Sequence, residues 1–470
     1  MKTIEEIFAP ENKPDDIIAI LSSRRKECPS WSKIENDFNP DKHDIVAHPE
    51  LRPSDKRKNG KLERAAKLTY PAEKIATRKA TQMAFSIPVT RVYNKPENDE
   101  QKAFQSAIES VYKSVRIDGV NMNRFYAYFA SCECMTFWYL AAGEEEVNRY
   151  GFPSKMKIRC RSYSPMPKKF SRISQASIYP YFDDDDDLIV LSADYIDDEG
   201  TRHFNAYTAK MAYYFTYKDG GWIVDQRPNP TGKIPAVYIT RPLPVFDGIS
   251  KNRDDIEFTL SRNSDNIRKN STPIVKISGE IIGDMPVGDS ARQVYRVSEG
   301  GDVSLIAPAL TTSDAKAHVQ MLKQLNDENC QMIDLSMENV KGLGAQSGEA
   351  RKTLLTEPHL KTGEEAHDIV WFFDREFEVI KSLLVLIKPE WKKYQYKTSC
   401  EHIITPFIQN DTASDVNVYT KASGVLISKK TAIKRAGLAE DAEAEYEEIM
   451  KEQKEAAETE RMSDVFAGAE

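Results

Sequence analysis

Cys132 and Cys134, one residue apart, could ligate a metal. A tetrahedral zinc site needs four ligands, commonly two such pairs, and the sequence holds no second pair. The run Arg124 to Ala142 reads as an apolar helix, on which residues two apart point to different sides. Buried free thiols are therefore the expectation. Five consecutive aspartates, Asp183 to Asp187, could offer hard oxygen ligands to a divalent cation. Between Phe182 and Leu188, a solvated hairpin tip is the plainer reading. The loop Gly342–Leu343–Gly344–Ala345–Gln346–Ser347–Gly348 faintly resembles a phosphate cradle, but Glu349 and Ala350 stand where a P-loop has lysine and Ser/Thr. The histidines (His43, His48, His203, His318, His359, His367 and His402) form no metalloprotease grouping, and no nucleophile elbow is present. The expectation is a protein without catalytic residues, metal or cofactor.

With no chemistry to position, the composition and the order of elements carry the argument. A chain of 470 residues, 40% hydrophobic and 29% charged, is a folded protein of several domains. No apolar run reaches the roughly 20 residues that cross a bilayer. The start, MKTIEEIFAPENK, has no apolar stretch after its lysine, so no secretory signal is expected. Six unevenly spaced cysteines fit a reducing compartment. The net charge of −8 is concentrated: residues 440–470 hold twelve acids against Lys451, Lys454 and Arg461, leaving the remainder near neutral. A protein that grips DNA needs a basic face. This one either ignores DNA or lets it pass without sticking.

Helical signals open the chain. One segment runs from Ile75 to Phe85, and Phe104, Ala107, Ile108, Val111, Tyr112 and Val115 follow at helical spacing. Strand-like runs come next, at Leu188–Tyr195, His203–Thr208, Met211–Tyr217 and Trp222–Val224, parted by turn signals. They predict an α+β body with antiparallel hairpins. After a proline cluster, Ile249, Ile256, Leu260 and Ile267 form one thin apolar stripe on a helix. Globular helices show a broader face, so this one is expected to pack beside similar helices and be wet elsewhere. A small Gly-rich β insert follows Pro273, then a second helix from Thr311 to about Leu335. Each helix would be about 24 residues, roughly 36 Å, long. A loop over Met337–Gly348 leads to a long helix ending at Ile387, with an interruption at Pro358. A lone strand near Tyr394–Ile408 is expected to return to the earlier sheet. The C-terminus is helical.

This order resembles the portal proteins of tailed bacteriophages, siphophage type, over nearly the whole chain. Local phrases add to it: Ile87–Pro88–Val89, Gly232–Lys233–Ile234–Pro235–Ala236–Val237, Ser347–Gly348–Glu349–Ala350–Arg351, and Ile427–Ser428–Lys429–Lys430–Thr431–Ala432. The resemblance implies a portal fold: a helix-rich wing carrying antiparallel strands (1–245), stem helices (246–272 and 311–335) and a small α/β clip (273–310). A tunnel loop (336–346), a long helix with wing return strand (347–411) and a helical crown (412–470) complete it.

By resemblance the chain would form a closed ring, twelve copies in the family, at one capsid vertex in the virion, assembled in the host cytoplasm. Double-stranded DNA would pass through it during packaging and ejection. Partners would be the terminase, which supplies the ATPase, a head-tail adaptor, and the major capsid and scaffolding proteins; no membrane is involved. Asn339, Lys341, Gln346 and Arg351 are the expected DNA-channel residues, and Ile249, Ile256, Leu260 and Ile267 the expected stem packing. Competing expectations are a capsid-associated or scaffolding oligomer without a channel, and a metal-dependent nuclease built on Asp183–Asp187.

Overall fold

The computed structural model describes residues 2–23, 28–56, 62–270, 274–279, 298–306, 312–334, 355–407, 420–423, 428–436 and 445–455. The fold is α+β. The chain divides into two compact units: Met1–Ile333 with Glu357–Phe407, and Asp334–Thr356 with Ile408–Glu470.

In the first unit the helix Asp99–Val115 starts where Asn98 accepts the Gln101 N–H at 2.9 Å, a side-chain cap that meets one otherwise orphan donor. It buries Phe104, Ala107, Ile108, Val111 and Tyr112 on the predicted face. The next helix, Ile117–Ser131, is the centre of the core. Its Phe125 stacks on Phe85 and meets Phe372 and Phe373 edge-on, the latter two on the long helix Thr356–Ile387.

Among these rings lies a buried ion pair. Arg124 gives Glu376 two hydrogen bonds of 2.6 and 2.9 Å, and Trp138 Nε1 adds a third at 2.9 Å. The guanidinium also lies 4.7 Å from the Phe372 ring centroid.

Two sheets follow. One has four strands in the order Ala236–Thr240, Glu133–Asn148, Pro153–Ser164, Ser174–Gln175. The other is a five-stranded antiparallel meander of Ser177–Phe182, Leu188–Ile196, Arg202–Tyr207, Met211–Lys218 and Gly221–Pro228. Its last hairpin turns on Asp219 and Gly220, both at positive φ, the backbone that a two-residue turn between twisted strands requires. One apolar cluster, with Met135, Ile178, Leu191 and Tyr207, joins strands of both sheets. Another, with Phe204 and Phe215, is covered by Ile7, Ile17 and Leu21 from the N-terminal helices.

Four expectations are corrected. The helix read over Arg124–Ala142 ends at Ser131; Cys132 takes a left-handed φ of 66° and a strand begins at Glu133. A continuous apolar run fits a buried strand as well as a helix, and the aromatics Phe137, Trp138 and Tyr139 favour the strand. The long helix runs unbroken through Pro358, because that proline sits in the first turn, where no intrahelical N–H is needed. The return strand is only Cys400–Ile403; it pairs with Thr90–Tyr93 rather than with either larger sheet, and Tyr394 lies in a short helix. The paired helices are Ser250–Asn270 and Thr312–Asn329, shorter than expected. The insert between them contains the antiparallel pair Ile274–Ser278 and Asp302–Ile306. In the second unit, the helix Lys429–Ala436 starts where Ser428 Oγ accepts the Thr431 N–H at 3.2 Å, and residues 445–455 are helical.

Replacing Glu376 by Ala leaves Arg124 buried without its counter-charge, at a cost of about 3–5 kcal/mol. The double replacement Arg124→Met/Glu376→Met should recover most of that loss. Urea unfolding of the two variants beside the unmodified chain checks this; equal losses would mean the pair is not coupled.

Candidate functional site: the paired helices

The helices Ser250–Asn270 and Thr312–Asn329 meet through a narrow apolar seam of Ile256, Val319 and Leu322, with Leu260 and Tyr70 packed at its edge. Polar contacts frame it. His318 Nε2 lies 2.9 Å from Asp255, and Asn252 donates to Asn326 at 3.0 Å. The far end is tied to the body by Asn329 donating to the Asp247 carbonyl at 2.9 Å, Lys79 to Asp327 at 2.7 Å, and Lys361 to the Cys330 carbonyl at 2.6 Å.

The first helix is not wet on its other sides. Arg253, Glu257, Ser261 and Asp265 recur every fourth residue and so share one face. That face binds residues 37–73. Glu257 accepts the Tyr70 N–H at 2.7 Å, Ser261 the Leu68 N–H at 2.8 Å, and Asp265 the Ala66 N–H at 3.0 Å. Every second amide of an extended segment thus meets every fourth side chain of a helix running the opposite way. The repeats match because four helical residues rise about 6 Å and two extended residues about 6.6 Å. Pro71 helps by keeping Tyr70 out of the helical region.

Charges close the seam at both ends. Arg253 donates to Glu73 at 2.9 Å and to the Asp37 carbonyl at 3.0 Å. Glu257 also lies 2.6 Å from His43 Nδ1, and neither side chain is exposed. Asp265 takes bonds from Arg52 and Arg268. Its burial, which alone would raise its pKa, is outweighed by the Ala66 N–H and the two guanidinium groups, so the carboxyl is held below its usual range. Glu73 behaves oppositely: burial pushes it up to about 7 against the pull of Arg253. Its Oε2 has no hydrogen-bond partner among the described residues.

The sequence-predicted stem residues divide. Ile256 and Leu260 pack in the seam. Ile249 precedes the helix and is buried in the main core. Ile267 is 41% exposed, as are Phe258, Met321 and Leu325 to a similar degree. Asn339, Lys341, Gln346 and Arg351 lie outside the described residues. The other candidates have ordinary surroundings. Cys132 and Cys134 are buried free thiols, the latter raised to about 12 by burial. Asp183–Asp187 forms an exposed hairpin tip in which Asp183 accepts the Asp185 and Asp187 N–H groups. Sequence reading missed the Arg253–Glu257–Ser261–Asp265 face. Its signal was present as a four-residue polar repeat, taken there for solvent.

Comparison with known proteins decides the family. The family model described as phage portal protein, SPP1 Gp6-like, matches residues 15–459. The chain belongs to this phage portal family. A phage portal protein is a component of the phage particle, and no described helix is long and apolar enough to cross a membrane. A solved structure titled "Neck of empty GTA particle computed with C6 symmetry" matches with a TM-score of 0.39 and 8% identity, over 86% of this chain and 95% of that one. A search of curated proteins gives no match.

The portal chain's seam should titrate. Unfolded, Glu73 loses its proton near 4.5; folded, it keeps it to about 7. Its contribution to stability is therefore full below pH 4.5 and is lost as pH rises to about 7, on the order of 2–3 kcal/mol. Glu73→Gln should remove that slope, read as the difference between variant and unmodified chain in urea titrations from pH 4.5 to 8. Parallel curves would show that Glu73 does not hold its proton.

Proposed function

We propose that the chain assembles into a closed ring whose axial channel passes double-stranded DNA during packaging and ejection, and that the ring joins head to tail. The family match over residues 15–459 carries this reading. The paired helices support it. Phe258, Ile267, Met321 and Leu325 stay 40–50% exposed after the subunit has folded. Exposed apolar side chains concentrated on one hairpin mark a contact surface, and ring closure needs a head-to-tail contact on each subunit.

In this reading 1–245 is the wing, the two helices are the stem, the pair Ile274–Ser278 and Asp302–Ile306 belongs to the clip, and 412–470 is the crown. Asn339, Lys341, Gln346 and Arg351 are assigned to the tunnel loop that touches DNA. Apart from the acid-rich C-terminus the chain is nearly neutral, which suits DNA that must slide, because many Lys/Arg–phosphate contacts would hold it. The ring itself performs no catalysis in this proposal. A terminase supplies the energy, an adaptor meets the ring, and capsid and scaffolding proteins surround it.

Native mass spectrometry with negative-stain averages of the purified chain tests the assembly. The expected result is a ring of about twelve copies with an opening wide enough for duplex DNA. Met321→Asp/Leu325→Asp should shift the population to monomer while leaving the thermal midpoint of the subunit within a few degrees. A stable closed oligomer without an axial opening would favour a capsid-associated role instead.

A further inference from the structure

Beside the strapped helix is an open pocket of about 820 Å³. Arg52 and Arg64 reach it from the segment before Pro71, and Arg262 and Arg268 from the helix. These four guanidinium groups face only two carboxylates, Asp255 and Asp265. Both carboxylates are engaged: Asp255 is 2.9 Å from His318, and Asp265 takes the Ala66 N–H, Arg52 and Arg268. The pocket is therefore rich in donors and poor in free acceptors.

Arg52 marks where a ligand would sit. Its side chain is only 9% exposed, and one nitrogen is spent on Asp265. Its buried Nε–H has no acceptor among the described residues. Buried donors in folded proteins nearly always have an acceptor, and a guanidinium left short of one is costly. Arg262 lies against the Phe258 ring, 5.8 Å from its centroid, which keeps its head near the pocket.

We propose that this pocket is a phosphate-binding site, with Arg52 Nε, Arg64 and Arg262 donating to the phosphate oxygens and Asp265 positioning Arg52. Donors approach from two separate elements. A tetrahedral oxyanion presents acceptors in several directions, whereas a carboxylate presents two in one plane, and guanidinium forks suit the former set. The open mouth admits the group either as inorganic phosphate or on a nucleic-acid backbone. Either source is compatible with the site, which does not rest on ring assembly.

The test is ³¹P line broadening of inorganic phosphate by the full-length chain, at ionic strength fixed with chloride. Broadening should saturate with the unmodified chain. Arg262→Gln should weaken it about tenfold, the loss of one charge-assisted contact. Arg64→Gln/Arg262→Gln should abolish it with the thermal midpoint unchanged, since neither residue is buried. Arg52→Lys keeps the charge but removes the Nε–H, and should also weaken binding. Displacement of phosphate by a short DNA duplex would assign the nucleic-acid backbone as the source; failure to displace would assign the free anion. No saturable broadening, or equal broadening in the double variant, overturns the proposal. Stronger displacement by polyglutamate than by any phosphate-bearing competitor overturns it too, and makes the pocket a protein contact.

Discussion

The carboxylate of Glu376 is the point at which distant parts of the chain are locked together. It accepts from Arg124 on the central helix and Trp138 on the first strand of the four-stranded sheet, while standing on the long helix. A charge at this depth is tolerable only when its partner and its remaining lone pairs are fixed. The three elements therefore cannot slide past one another without exposing an unmet charge. The helix pair hangs from this same framework. Val245 donates to the Phe129 carbonyl at 3.0 Å, and Phe246 and Ile249 are buried in the same core. The second helix returns to it through Cys330, whose carbonyl holds Lys361.

Away from that core the molecule changes its means of cohesion. The paired helices share only a few buried apolar side chains, too few to offset the chain entropy of two such helices. The strap of residues 66–70 supplies what the seam lacks. It gives three amides to Glu257, Ser261 and Asp265, and neighbouring Arg52, His43 and Glu73 meet the charges. Single hydrogen bonds of this kind contribute about 1 kcal/mol each, but breaking one strands a partly buried carboxylate. The consequence is directional stiffness, with one flank of the helix locked and the other free.

Much of the body was legible because its signals are local. The meander strands fell within a few residues of their predicted positions, since each is short, apolar on alternate residues and bounded by Asp/Gly turns. The order of helix, small insert and helix was equally readable. What failed was non-local. Glu133–Asn148 was misread because burial on both faces near its start erases the two-residue period. The polar face at Arg253–Asp265 looked like solvent because its partners lie about 190 to 215 residues earlier in the chain. No window of sequence relates Ser261 to Leu68. Ile249 was assigned to a helix stripe although the chain bends there and drives it into the core.

The division of labour on the first helix bears on assembly. A hairpin that satisfied all its apolar surface internally would have no reason to meet a copy of itself. A hairpin without the strap would be too soft to present a fixed surface. Here the polar strap consumes the Arg253–Asp265 flank, the narrow seam consumes Ile256 and Leu260, and Phe258 and Ile267 remain outward with Met321 and Leu325 of the partner helix. Because the inward contacts are mostly hydrogen bonds and ion pairs, the helix keeps its orientation without spending its limited apolar surface on the subunit. In the ring reading that surface is left for the neighbour, where burial would supply the hydrophobic stabilisation that the isolated hairpin lacks.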